Sequence, residues 1–150
     1  MEEADIQAMK RIENQAETYQ VLARRILTWV NCARRYLSTT ELRSALAVGE
    51  EDAFPENESA LEFLFSICGG LVTTSTGPYS ESADALQFSR FTAYDYRLLM
   101  RRTWFPHAET EVARACIAYL SSRRFEQSFC GSYEGFEERL RRNPFFAYAA

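Results

Sequence analysis

Histidine is all but missing from this chain: His107 is the one imidazole in 150 residues. A zinc site or a Ser–His–Asp triad draws on imidazole as ligand or base, so neither is expected. His107, following Pro106, reads as the start of a helix. The GxxxxGK[ST] loop that cradles nucleotide phosphates is also lacking, and the stretch is not expected to hydrolyse ATP alone. Glu2-Glu3 and Glu137-Glu138 read as exposed helical carboxylates, not as an acid–base pair. The expectation is a protein with no catalytic residues, no metal ligands and no enzymatic activity. Four cysteines, Cys32, Cys68, Cys116 and Cys130, show no CxxC spacing. They read as reduced, partly buried thiols of a cytoplasmic protein rather than as a disulfide framework. No apolar run approaches the ~20 residues that span a bilayer, so no membrane partner is expected. The opening Met1-Glu-Glu-Ala-Asp5 is acidic, unlike a signal peptide, and the Asn57-Glu-Ser59 sequon therefore reads as chance.

Basic charge is carried almost wholly by arginine, often paired: Arg24-Arg25, Arg34-Arg35, Arg101-Arg102, Arg123-Arg124 and Arg141-Arg142. Residues 1–50 hold seven basic and seven acidic groups. Residues 51–100 hold eight acids against Arg90 and Arg97, and residues 101–150 hold eight arginines against six glutamates. The middle third is thus acidic and the last mildly basic. Arginine pairs interleaved with glutamate read as solvated helix faces, although a planar guanidinium also suits ion pairs and phosphate. With 47% hydrophobic and 14% aromatic residues the chain can build a core, most simply as one domain with a helical arm.

The period of the apolar residues predicts helices with one hairpin. Residues 3–15 are polar and helix-forming. In 17–35, Val21, Leu22, Ile26, Trp29, Val30 and Ala33 recur at three- and four-residue spacing. Ser38-Thr-Thr-Glu41 is a capping-box pattern opening a short helix through Leu42, Ala45, Leu46 and Val48. After an acidic loop, Gly49 to Pro55, a third helix is expected from about Glu56, nearly all-round apolar through Leu61, Phe63, Leu64, Phe65 and Ile67. Gly69-Gly70 ends it. Leu71–Ser75 and Ala85–Ser89 read as strands joined by Thr76-Gly-Pro-Tyr-Ser80. Further helices are expected from Thr92 to the Trp104-Phe-Pro106 break, over 107–121 (Val112, Ala115, Cys116, Tyr119 and Leu120 inward), and over 133–142 with Tyr133, Phe136 and Leu140 in step. Pro144–Ala150 looks like the first turn of another helix, cut short, as in a fragment or a short gene product built like one.

This order predicts a mainly α fold: a winged helix-turn-helix with a small β wing plus additional C-terminal helices. The expected division is a helical linker over 1–17, the winged helix over 18–103, and a C-terminal helical extension over 104–150 leading toward a repeat region. A winged helix that binds DNA needs bases on its recognition helix and wing. The candidate recognition helix carries Glu56, Glu58 and Glu62 with no Lys or Arg, and residues 71–89 have none either. No nucleic-acid partner is expected, and an acidic, apolar helix faces protein. Leu61, Leu64, Phe65, Trp104, Phe105, Phe145 and Phe146 are the candidate interaction residues, and the apolar Phe145-Phe146 end makes self-association an expectation.

Ile26-Leu-Thr-Trp-Val30, Ala33-Arg-Arg-Tyr-Leu37, Glu41–Val48, Cys68-Gly-Gly-Leu-Val72, Phe91-Thr-Ala-Tyr-Asp-Tyr96 and Trp104-Phe-Pro106 stand in an order that resembles a known family. The same holds of Cys116–Ser121 and Pro144–Ala150. The family is the winged-helix segment that follows the NACHT domain in fungal NACHT–ankyrin proteins, NOD-like signal-transducing ATPases of the STAND class. That segment goes under the label GPI inositol-deacylase winged helix, inherited from one member and not an activity. The resemblance covers residues 18–150. It implies a signal-transduction role by protein–protein contact, with a NACHT nucleotide-binding domain and ankyrin-type repeats as partners, in cis or in trans. It also implies no cofactor on this chain itself, with ADP or ATP on the adjacent NACHT domain. In the family a histidine after the second wing strand senses the phosphate of ADP; the matching position here is Arg90, and Tyr94-Asp95 replace the usual Gln-Glu pair. The alternative is a stand-alone adaptor or decoy that docks on a NACHT protein or on itself.

Overall fold

In the computed structural model, which describes residues 3–48, 58–75, 84–89, 102–126 and 130–150, helix α1 (Glu3–Glu13) leads by a tight turn into α2 (Glu17–Cys32). The turn is tied by side-chain amides: Gln20 Nε2 donates to the carbonyls of Glu13 at 2.9 Å and Gln15 at 2.8 Å. α2 is the central helix. It packs against α1, against α3 (Thr39–Leu46), against α4 (Glu58–Ile67), and against the wing and the C-terminal helices. Its Ala23, Ile26, Leu27, Thr28, Trp29 and Cys32 are buried. Val21, expected inward, is 53% exposed. It shares a helix face with Glu17 and Arg24, both solvent-facing, so the α2 stripe that enters the core begins one position later, at Leu22.

α3 opens on the expected capping box, and Leu42, Ala45 and Leu46 face the core. Its last turn leaves carbonyls without helical partners, and Arg25 from α2 fills one, Nη2 donating to Leu46 O at 2.7 Å. α4 is less uniformly buried than its composition suggests. Leu64 and Ile67 are withdrawn, while Phe63 is 43% exposed. The helix ends at Gly69 and Gly70, both at positive φ. Gly69 has a second reason to be glycine: a Cβ there would lie 2.8 Å from the carbonyl oxygen of Ala8 on α1. α1 thus lies close over this turn, and Gln15 Nε2 reinforces the contact by donating to Ile67 O at 2.9 Å.

The wing follows. β1 (Val72–Ser75) and β2 (Ala85–Phe88) pair antiparallel, with Val72 opposite Phe88 and Ser75 opposite Ala85. The other edge of β2 meets the α2–α3 connection: Leu86 N–H donates to Leu37 O at 2.8 Å and Ser38 bridges Ala85. Thr39 Oγ1 also donates to Asp84 Oδ2 at 2.7 Å. The wing is therefore fixed to the start of α3, the arrangement of a winged helix. The helix expected from Thr92, like the Phe91–Tyr96 run, lies outside the described residues.

In the C-terminal third, α5 (Ala108–Leu120) packs on α2 and α3, a short 3-10 turn spans Arg123–Phe125, and α6 (Tyr133–Arg142) leads into the single turn α7 (Phe146–Ala149), which packs on α5. His107 stands at the N-cap of α5, without a side-chain cap bond. One hydrophobic cluster joins Met9 and Ile12 of α1, the inward faces of α2, α3 and α4, the wing residues Val72 and Leu86, and Phe105, Tyr119 and Phe145. The segments expected as linker, winged helix and extension thus share a core. All four cysteines are free; Cys32 and Cys68 are buried.

Candidate interaction site

The connection from α2 to α3 is short, and it brings Arg34 and Arg35 beside α7. Ser38 Oγ accepts the Glu41 N–H at 3.1 Å, and Glu41 Oε2 accepts the Ser38 N–H at 2.9 Å. The same carboxylate, 8% exposed, takes a fork from Arg35: Nη1 to Oε2 at 2.9 Å and Nη2 to Oε1 at 2.6 Å. A bidentate fork fixes orientation as well as distance. Because the Arg35 side chain is 49% exposed, the pair contributes about 1 kcal/mol or less. Its hydrogen bond to Glu41 holds the Arg35 guanidinium above the usual arginine range, with burial pulling the other way.

Arg35 also lies over the Tyr148 ring, its Cζ 5.1 Å from the centroid, a distance at which a cation is attracted by the ring face. Tyr148 Oη accepts the Arg34 N–H at 3.3 Å. Burial pushes the Tyr148 phenol above its ordinary pKa, and the Arg34 N–H partly opposes that. Behind Tyr148 sits Phe145, with no exposed surface. Its ring meets Trp29 edge-on at 5.4 Å and Tyr119 edge-on at 5.0 Å, and stacks on Tyr148 at 5.4 Å. Tyr119 continues the cluster to Phe125 at 5.2 Å, and Phe125 to Phe146 at 5.1 Å. The C-terminal turn therefore clasps the winged helix at two depths. Phe145 plugs into the core, while Tyr148 touches the Arg35–Glu41 pair that caps α3.

The seven expected interaction residues divide. Leu64, Phe105 and Phe145 are buried in the core and offer no surface to a partner. Leu61, Phe65, Trp104 and Phe146 pack against that core with part of each side chain accessible. Phe146 turns toward a groove beside α6. Arg90, the expected phosphate sensor, lies outside the described residues. The exposed aromatics sit elsewhere: Tyr19 and Phe63, rings 5.4 Å apart and edge-on, Tyr36 in the α2–α3 connection, and Tyr133 and Phe136 on α6. Composition could not select these, since apolar residues in helical step look alike whether the facing element is present or not. Arg35 and Tyr148 went unread for another reason. Their contact crosses more than a hundred residues of chain, whereas the Ser38–Glu41 capping box leaves a local signature.

The arginine pairs are not uniformly solvated faces. Arg141 and Arg142 fit that reading, both held on the α6 surface by Glu138 at 3.3 and 2.6 Å. Arg25 and Arg35 instead close helix ends. Among the described residues no group of three or more His, Cys, Asp or Glu is gathered as metal ligands would be, and no helix is long and apolar enough to cross a membrane. A family model described as GPI inositol-deacylase, winged helix domain, matches residues 10–99, from the last turn of α1 past the wing. No curated protein and no solved structure matches the chain.

Proposed function

The chain belongs to the GPI inositol-deacylase winged-helix family, and we propose that it is a non-enzymatic regulatory module that passes a conformational change between neighbouring domains by protein contact. The observation that carries this reading is the clasp. Ser38, Glu41, Arg35 and Tyr148 form one run of contacts from the N-cap of α3 to the C-terminal turn. A displacement at either end removes partners from the other, which is the differential contact that a shift between two states requires. The lack of Lys and Arg in α4 and over residues 71–89 further supports contact with protein rather than nucleic acid. Following the resemblance, the neighbours would be a NACHT nucleotide-binding domain and ankyrin-type repeats, in cis or in trans. The NACHT domain would hold ADP or ATP, with Arg90 near the phosphate. The setting would be cytoplasmic.

The test is a titration of the chain against a fungal NACHT domain with and without ADP, repeated with Arg90→Ala. The expected result is binding strengthened by ADP, with that dependence lost in the variant. Equal binding in both states would overturn the nucleotide relay. No binding in either would favour the second reading, a stand-alone adaptor, which rests on the accessible aromatics at Tyr19, Phe63, Tyr133 and Phe136.

A further inference from the structure

Two exposed aromatic surfaces of this chain carry charges of opposite sign at their edges. The first is a ridge. Tyr19 on α2 and Phe63 on α4 are each 43% exposed, yet their rings already meet edge-on at 5.4 Å. The pair is thus set in place before any partner arrives, which lowers the cost of ordering it on binding. Glu62 stands exposed beside Phe63, and α4 has no basic residue to neutralise it.

The second is a groove of about 570 Å³ lined by Cys130, Ser132, Tyr133, Phe136, Arg139 and Phe146. α6 buries none of its side chains, and Tyr133 is 74% exposed. An amphipathic helix that leaves its apolar face uncovered is an unusual surface for an isolated soluble protein. The last turn of α6 carries Arg139, Arg141 and Arg142, the latter two with side chains 72% and 75% exposed. Glu138 pairs with both, and Arg139 lines the groove itself, so three guanidiniums against one carboxylate leave the last turn of α6, beside the groove, with net positive charge.

We propose that the chain associates head to tail with a second copy of itself, the Tyr19–Phe63 ridge of one copy seating in the α6–α7 groove of the next, with Glu62 facing the arginines at the end of α6. The ridge against itself would set acid against acid and the groove against itself base against base, so a two-fold pairing of either patch is disfavoured. Joining two different patches instead builds an open chain or a ring. The contact is small and partly polar, which gives weak, salt-sensitive association. This deepens the adaptor reading and requires neither nucleotide nor a NACHT domain.

Sedimentation velocity of the full chain, over about two decades of concentration at low and high salt, reads the association directly. The mass is expected to rise with concentration, and less so in high salt. Phe63→Ser, Glu62→Arg and the double change Arg141→Glu with Arg142→Glu should each weaken association by about tenfold or more. All four positions are exposed, and an unchanged helical circular dichroism spectrum confirms that each variant is folded. The decisive sample is a mixture. Glu62→Arg chains combined with Arg141→Glu/Arg142→Glu chains regain opposite charges at every junction, and association returns. A chain that stays monomeric throughout, association that these variants retain, or a mixture that fails to recover would each overturn the proposal. Because no nucleotide domain is present, any of those failures leaves the relay reading standing.

Discussion

The winged-helix part and the C-terminal third are held by different means. In the first, aliphatic side chains are withdrawn completely: Ile26, Leu27, Leu42 and Leu46 have no exposed surface, and Leu37 and Leu86 are at 2%. Helix ends there are closed by a capping box, a glycine pair and Arg25. In the second, Phe145 is the one described side chain withdrawn to that degree, α6 buries nothing, and attachment runs through the packing of α5 on α2 and α3 and the edge-on contact of Phe145 with Trp29. Elements with few buried apolar contacts open at lower free energy than the core they rest on. The lesson is a division of labour: a stiff body, and an appended segment that joins its core through α5 and Phe145 and touches its surface through Tyr148.

The sharpest way to break this comparison is to remove an anchor from each region. Leu42→Ala should cost about 2–5 kcal/mol and Phe145→Ala about 3–5 kcal/mol by the usual scale for emptied core sites. The two losses should differ in reach. Leu42→Ala lowers amide protection throughout, because its cavity lies in the shared core. Phe145→Ala should speed exchange in α5–α7 while α2 and α3 keep most of theirs. Hydrogen exchange read segment by segment checks this. Uniform loss in both variants would mean that the third behaves as part of the body.

A smaller effect separates the regions by pH. Cys68, at the end of α4, is pushed by burial from 9.0 to about 12. An acid whose folded pKa lies above its unfolded value keeps its proton in the native state while the unfolded chain gives it up. Stability from this thiol is therefore complete below pH 9 and declines as pH rises toward 12. At pH 10 the loss should be about 1.4 kcal/mol relative to neutral pH. Urea midpoints at pH 8 and 10 (values chosen about one unit either side of the thiol's unfolded pKa), with and without Cys68→Ala, isolate this component. The variant should lose most of the slope, whereas Cys116→Ala, on the half-buried face of α5, should keep it.

What could be read from the chain alone followed the range of the interactions. The capping box spans four residues, the Gly69-Gly70 stop spans two, and the strands and α5 fall within a residue or two of expectation. Each of these is set by neighbours in sequence. Which apolar residues face outward is set by what packs opposite, so Val21, Phe63, Tyr133 and Phe136 could not be sorted from Ile26 or Leu64 by period. The clasp was hidden for the same reason. Arg34-Arg35 is one more arginine pair until Tyr148 arrives from the far end of the chain to sit against it.

The smallest effects test whether the two regions are coupled at all. Ser38→Ala removes the α3 cap and should cost about 1 kcal/mol, a loss that a purely local cap would confine to α3. Arg35→Gln breaks the fork to Glu41 and the cation–ring contact together, and with Arg35 half-exposed it should cost about 0.5–1 kcal/mol. Tyr148→Leu removes the ring from the other side. If the run from Ser38 to Tyr148 transmits displacement, the Arg35 and Tyr148 changes are not additive, with a coupling of about 0.5 kcal/mol or more, and Ser38→Ala raises exchange at 146–149 although it touches none of those residues. Additive costs and an unaltered C-terminal turn would make the clasp two independent contacts that happen to share an arginine, and the stiff body and its appended segment would then be coupled only through core packing, by Phe145 and by the face of α5 that lies on α2 and α3.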